Sequence, residues 1–332
     1  MTKRKKLYIW GGIGLVAVVL AALTAYRLWT TGADGVRSSA VLVERIERNE
    51  ICVDGRAMLY FDHAVGDSVL VGITTNADSA THRHLATACW TDRWLLLPSC
   101  RGRLLTVMPA ETRRPKAASI KGIIDNSCSA MRLKLKMVDA QLTELHYYMR
   151  VHGVQDDGYQ QIAALTEHVS KVRTELLHTK NILDSIAAGK HKLSLHRSIV
   201  YNAICRNANG RASRIALNMV STNAQSRCIL LRTADGQTPE GAQAVALLPW
   251  AQKAETDIVA AGIPSIGEQG IWCDTVSVRI IPGHKQQGGR HNLPRVLASD
   301  GSPVFTAHGR FIGIVSGNSI VGRESLRQLL ND

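Results

Sequence analysis

The sequence predicts a mainly β protein with an α insertion: two β-rich stretches, a long antiparallel helical hairpin between them and one N-terminal transmembrane helix. Three observations predict it. Short apolar runs alternate with Gly, Asp, Asn and Pro breaks over residues 50–107 and again after residue 193, the spacing of strands in a sandwich or barrel. Between them, residues 119–188 switch to an apolar period of three and four, the signature of helices with one buried face. At the start, an uncharged apolar run covers residues 7–26. The expected divisions are a basic tail and transmembrane helix at 1–29, a polar linker at 30–49, a first β half at 50–116, the hairpin at 117–190 and a second β half at 191–332.

The apolar run would span about 30 Å as a helix, the thickness of a bilayer core. Trp10 and Tyr26 sit near its ends, where amphipathic rings favour the membrane interface. Lys3, Arg4, Lys5 and Lys6 precede it, against Arg27 and Arg37 after it. That bias places the N-terminus in the cytoplasm and the rest of the chain outside, in a periplasmic or other extracytoplasmic space. The competing expectations are a cleaved signal peptide and a buried helix of a soluble protein. The run exceeds the usual apolar length of a signal, and Ala22-Leu23-Thr24 is a poor cleavage site.

In the first β stretch the candidate strands are 57–61, 68–73, 86–90, 93–97 and 103–107. Residues 119–150 then contain no proline and one glycine, Gly122. Apolar side chains at Ile124, Met131, Leu135, Val138, Leu142, Leu145 and Met149 are spaced 7, 4, 3, 4, 3 and 4, a heptad seam. Gly153, Asp156, Asp157 and Gly158 mark a turn. Ile162, Leu165, Val169, Val172, Leu176, Leu183 and Ile186 continue the pattern to Gly189, a plausible helix end. A short link between two such helices makes them antiparallel neighbours. The hairpin is expected to be a spacer or an oligomerisation arm, with a partner-binding arm as the sharper alternative. In the second β stretch the candidate strands are 198–206, 212–220, 228–233, 243–248, 257–261, 272–281, 302–305 and 311–316.

Net charge is +13, part of it in the N-terminal tail. Aromatic residues make up 5% of the chain and no dense Lys/Arg block interleaves with them, which argues against nucleic-acid binding. All seven cysteines, Cys52, Cys89, Cys100, Cys128, Cys205, Cys228 and Cys273, follow the apolar run. An extracytoplasmic space permits disulfides, an odd count leaves one thiol over, and the pairing stays open. No C-x-x-C or H-x-x-x-H spacing occurs, so no structural zinc site is expected. No cofactor is expected either.

The residues with chemical interest lie near the C-terminus. Ala298-Ser299-Asp300-Gly301-Ser302-Pro303-Val304-Phe305 leads into a hairpin ending Gly313-Ile314-Val315-Ser316-Gly317. This stretch resembles the nucleophile segment of trypsin-like (chymotrypsin-fold) serine proteases, Gly-Asp-Ser-Gly-Gly/Ser-Pro-Val followed by a hairpin with Gly-Ile/Val-x-Ser. Ile258-Val259-Ala260-Ala261-Gly262-Ile263-Pro264 and Thr275-Val276-Ser277-Val278 resemble two of the family's preceding strands. Residues 86–100 look like the approach to its histidine, and residues 227–233 like the segment that begins with its aspartate. The resemblance implies a double β-barrel, with the hairpin between the barrel halves.

In the family frame the nucleophile position holds Asp300, the general-base position Cys100 and the orienting-acid position Arg227. A triad needs a hydroxyl or thiol, an imidazole and a carboxylate in those roles, and none of the three is present. Ala298 also replaces a glycine that shapes the turn. Ser302 or Ser299 is the fallback nucleophile after a register change, with His63, His82 or His84 as base and Asp92 or Asp235 as acid. Asp257 mimics the acid motif but lies only five residues before Gly262. Cys100 alone would need a lowered thiol pKa.

The expected function is that of a membrane-anchored, envelope-facing trypsin-like pseudoprotease that binds or scaffolds proteins. Its partner would be a protein or an extended peptide held by strand addition. The alternatives are an active membrane-anchored serine endopeptidase with an unconventional site, and a subunit of an envelope or secretion assembly working through the hairpin. Oligomers through residues 119–188 belong to the same expectation.

Overall fold

A computed structural model describes residues 16, 18–21, 31–66, 68–91, 101–108, 120–206, 212–247, 254–264 and 277–331. Among them no helix is long and apolar enough to cross a membrane. Of the anchor expected at 7–26, only residues 16 and 18–21 are described. The chain divides into two compact units: Met1–Arg45, Arg83–Glu111 and Val200–Asp332 form one, and Ile46–His82 and Thr112–Ile199 the other.

The elements in chain order are α1 (Ala33–Ser38), β1 (Ala40–Val53), β2 (Arg56–Phe61), β3 (His63–Val65), β4 (Val69–Val71), β5 (Thr81–Thr91) and β6 (Arg103–Val107). Helices α2 (Ile120–Val151) and α3 (Tyr159–Ala188) follow. Then come β7 (Leu193–Arg206), β8 (Ala212–Asn223), β9 (Cys228–Thr233), β10 (Thr256–Gly262), β11 (Arg279–Lys285), β12 (Pro303–Thr306), β13 (Phe311–Ser316), β14 (Ser319–Gly322) and α4 (Arg323–Asn331).

The larger sheet runs β2-β1-β5-β6-β9-β8-β7, and β1 also pairs with β7. Six strands therefore close into a barrel, with β2 outside the closure. Closure removes the open edges that a sheet otherwise exposes. The smaller sheet runs β11-β10-β12-β13-β14, with antiparallel pairing throughout.

This topology corrects the expected division into halves. β6 pairs with β9 from Arg103↔Arg232 to Val107↔Cys228, so strands from both sides of the helices build one barrel. The helices are inserted within that barrel's sheet, between β6 and β7, and residues 191–332 do not make a barrel half by themselves. The polar linker expected at 30–49 is corrected too: it contains α1 and most of β1, and Val41, Leu42, Val43 and Glu44 are buried. Its charges had suggested solvent, yet they meet opposite charges. Glu44 faces Arg83 and Arg214, and Glu47 pairs with Arg197. The strand expected at 243–248 is reduced to one bridge, Val245 to Thr91. The candidate at 93–97 lies outside the described residues.

In the first unit, Cys89 of β5, Leu105 of β6 and Leu230 of β9 are buried with Phe305, Phe311 and Ile314 of the smaller sheet and Leu326 and Leu329 of α4. Phe305 and Phe311 meet edge to face, centroids 5.6 Å apart, a favoured ring geometry. This cluster ties the hairpin of β12 and β13 to the barrel strands.

In the second unit, α2 and α3 lie side by side. Ile124, Cys128, Met131 and Leu135 of α2 are buried with Leu176, Leu183 and Ile186 of α3. Arg132 donates to Asp184 and Arg173 to Asp139, so positions rising along one helix meet positions falling along the other. At 32 and 30 residues the helices are about 45 Å long. Leu165, expected in the seam, is 40% exposed. Below the seam, Ser127 Oγ accepts the Leu70 N–H at 2.9 Å and donates to the Ile123 carbonyl, fastening α2 to β4.

Candidate functional site

The site is the turn that feeds β12. Gly301 has φ +86, and a Cβ there would sit 1.8 Å from the Thr87 carbonyl oxygen. Only glycine meets both conditions. The close approach lets β5 hold the turn: the Thr87 N–H donates to the Asp300 carbonyl at 3.2 Å. The Thr87 and Ser299 hydroxyls share a hydrogen bond of 2.7 Å. Thr106 Oγ1 donates to the Thr87 carbonyl at 2.8 Å. On the other side, Gly301 N–H donates to the Val315 carbonyl and Val315 N–H to the Ser302 carbonyl, at 2.8 and 2.9 Å.

Asp300 is half-buried, and its Oδ1 accepts the Gly317 N–H at 2.7 Å. The carboxylate thus stitches the start of β12 to the end of β13, a charge-assisted bond of the stronger kind. Arg227 reaches the same place: it sits in a turn at φ 55, and its Nη2 donates to Ser316 Oγ at 3.4 Å. The structure therefore brings Asp300 and Arg227 to adjacent residues, Ser316 and Gly317. Cys100 lies outside the described residues.

Among the described residues neither fallback hydroxyl is hydrogen-bonded to a histidine. Ser302 is fully buried, and among the described residues its Oγ has no hydrogen-bond partner. Ser299 Oγ bonds Thr87 and donates to the Ile263 carbonyl at 3.3 Å. His63 and His82 belong to the other unit, where His82 faces Asp62 at 3.7 Å. Asp235 accepts the Gln237 N–H at 3.0 Å in a turn. Asp257 pairs with His284 across β10 and β11 at 3.1 Å. Asp92 lies outside the described residues.

Sequence reasoning missed His291. It is half-buried, its Nδ1 accepts the Leu293 N–H at 3.1 Å, and its backbone N–H donates to the Asn318 carbonyl at 3.3 Å. Burial lowers its pKa, aided by Arg295 and opposed by the Gly317 backbone and the Asp300 charge. No motif marks this histidine; the connection from β11 to β12, bridged to β14 at Arg290↔Ser319, places it beside the Asp300 turn. The folded pKa lies below the unfolded value near 6.5, so protonation favours the unfolded chain. The penalty is absent above that value and grows as the pH falls below it. His291→Gln is expected to flatten this dependence: between about pH 7 and pH 5 its denaturation midpoint should fall less than the wild type's. Equal falls would contradict it.

The described thiols are poor nucleophiles. Burial pushes Cys205 up to about 11 and, with Asp184 nearby, Cys128 also up to about 11. Burial raises Cys89 further still. Cys52, Cys89, Cys128, Cys205 and Cys228 are free thiols, while Cys100 and Cys273 lie outside the described residues. Among the described residues no group of His, Cys, Asp and Glu is arranged to hold a metal.

No protein-family model matches the chain, and no curated protein matches its sequence. Solved structures similar to it include Deg5 and the protease domain of MamO, both at low identity. Deg5 is 10% identical over 89% of this chain and 88% of its own, with a TM-score of 0.36. The protease domain of MamO from Magnetospirillum magneticum, in its apo form, is 13% identical over 40% of this chain and 76% of its own, with a TM-score of 0.28.

Proposed function

We propose that this chain is a membrane-anchored, envelope-facing pseudoprotease: a trypsin-like scaffold that binds a protein partner or an extended peptide. Residues 7–26 are the anchor in this reading, with Lys3 to Lys6 on the cytoplasmic side. The observation that carries it is the bond from the Gly317 N–H to Asp300 Oδ1. The residue at the nucleophile position of the resembled family serves as a brace between two strands, and Ser302, two residues on, is sealed from solvent. A brace of this kind keeps the hairpin in shape without chemistry at Asp300. An extended peptide would add to a sheet edge through backbone hydrogen bonds, which need no triad; the edges of the smaller sheet are β11 and β14.

A second reading, an active serine endopeptidase with an unconventional site, is favoured by His291 beside the Asp300 turn. One experiment separates the two. The purified chain is treated with a fluorophosphonate probe and assayed for casein turnover, alongside Ser299→Ala, Ser302→Ala and His291→Ala. The pseudoprotease reading expects neither labelling nor turnover. Covalent labelling that disappears in Ser299→Ala or Ser302→Ala would overturn it and establish the hydrolase.

A further inference from the structure

Helix α2 carries a second apolar stripe that its own hairpin does not use. At 3.6 residues per turn, Leu133, Met137, Ala140, Tyr147 and Val151 fall within about 40° of one line along the helix. The buried seam of Ile124, Met131, Leu135 and Leu142 lies about 180° away by the same count. Leu133 is 61% exposed, Met137 67%, Tyr147 63% and Val151 55%. The stripe is about 27 Å long. Four large apolar side chains aligned on one exposed face form an interaction surface, unlike scattered exposed residues.

We infer that this stripe is the interface of a homodimer in which α2 packs antiparallel against α2 of a second copy. The charges select that occupant. Glu144 lies within the stripe and Lys136 on its flank, both exposed. Around a two-fold axis through Ala140, Lys136 of one copy faces Glu144 of the other, and the pair occurs twice. Leu133 faces Tyr147 twice, and the small side chain of Ala140 sits on the axis, where the helices approach most closely. A two-fold interface has this self-complementarity by construction. A parallel pairing in register would instead set Glu144 against Glu144 and Lys136 against Lys136, which repels. The inference is independent of whether the barrel is catalytic.

The test uses the full chain in detergent, with mass measured by sedimentation velocity across a dilution series. The wild type is expected to be a dimer that dissociates on dilution. Lys136→Glu and Glu144→Lys should each raise the dimer dissociation constant about tenfold, because each turns two attractive pairs into two repulsive ones. The double reversal should return it to near the wild-type value. Leu133→Asp should give a monomer of unchanged helical content, since Leu133 is exposed within the chain. A monomeric wild type, a double reversal no tighter than either single one, or a dimer that survives Leu133→Asp would each overturn the inference.

Discussion

Gly301→Ala is expected to destabilise the first unit by about 3 kcal/mol. The left-handed backbone costs an L-residue about 1–2 kcal/mol. The rest comes from β5, because the new Cβ would meet the Thr87 carbonyl at 1.8 Å. To relieve that contact Thr87 must move, weakening its N–H bond to Asp300 and the Thr106 bond to its carbonyl, about 1 kcal/mol each. Gly55→Ala is the matched control. It has φ +82 with nothing within 4 Å of the added Cβ, so it tests the backbone strain alone and should cost about 1–2 kcal/mol. Urea unfolding of both variants checks the difference. Equal losses would mean that β5 does not clamp the turn, and the account of the site would fail with it.

The second large effect concerns β1. Glu44 is fully buried, while Arg83 and Arg214, which approach it at 3.9 and 3.3 Å, are each more than half exposed. Removing both guanidinium groups leaves a buried carboxylate without its counter-charges. Stranding a buried charge costs about 3–5 kcal/mol. The Arg83→Ala/Arg214→Ala double variant is expected in that range by chemical denaturation. Adding Glu44→Gln should recover most of the loss, because the stranded charge is then gone. A double variant within about 0.5 kcal/mol of the wild type, the span of ordinary surface changes, would show that the two arginines do not hold Glu44.

The same strand shows why part of the fold was illegible. Ala40-Val41-Leu42-Val43-Glu44-Arg45-Ile46-Glu47 alternates poorly and carries three charges, which favours a solvated linker over a core strand. The two glutamates are tolerated because Arg83, Arg197 and Arg214, distant in sequence, come to them. No local pattern announces such partners. The strands with clean apolar runs behave differently: the limits read for β6, β9 and β13 coincide with those observed. The heptad seam of α2 and α3 was legible for the same reason, since its information repeats every turn. The exposed stripe on α2 was not read, because a second stripe becomes visible only once the first is known to be buried.

At the candidate site, the Gly-Ser-Pro turn and the hairpin after it were legible in the sequence, and the resemblance drew attention to Asp300 and Arg227. What those residues do was not. That Asp300 braces Gly317, that Arg227 reaches Ser316 and that His291 stands beside them all depend on β13 returning next to β12.

The sequence by itself determined the element types where one physical period dominates: two heptad helices, the cleaner strands, and the apolar hairpin that follows Asp300. Only the tertiary structure decided which strands share a barrel. β6 and β9 are separated by the whole helical insertion, and their pairing is a non-local hydrogen-bond ladder that leaves no periodic trace in either segment. It likewise decided the role of Asp300, because a carboxylate's partner is set by what the fold brings within hydrogen-bond reach.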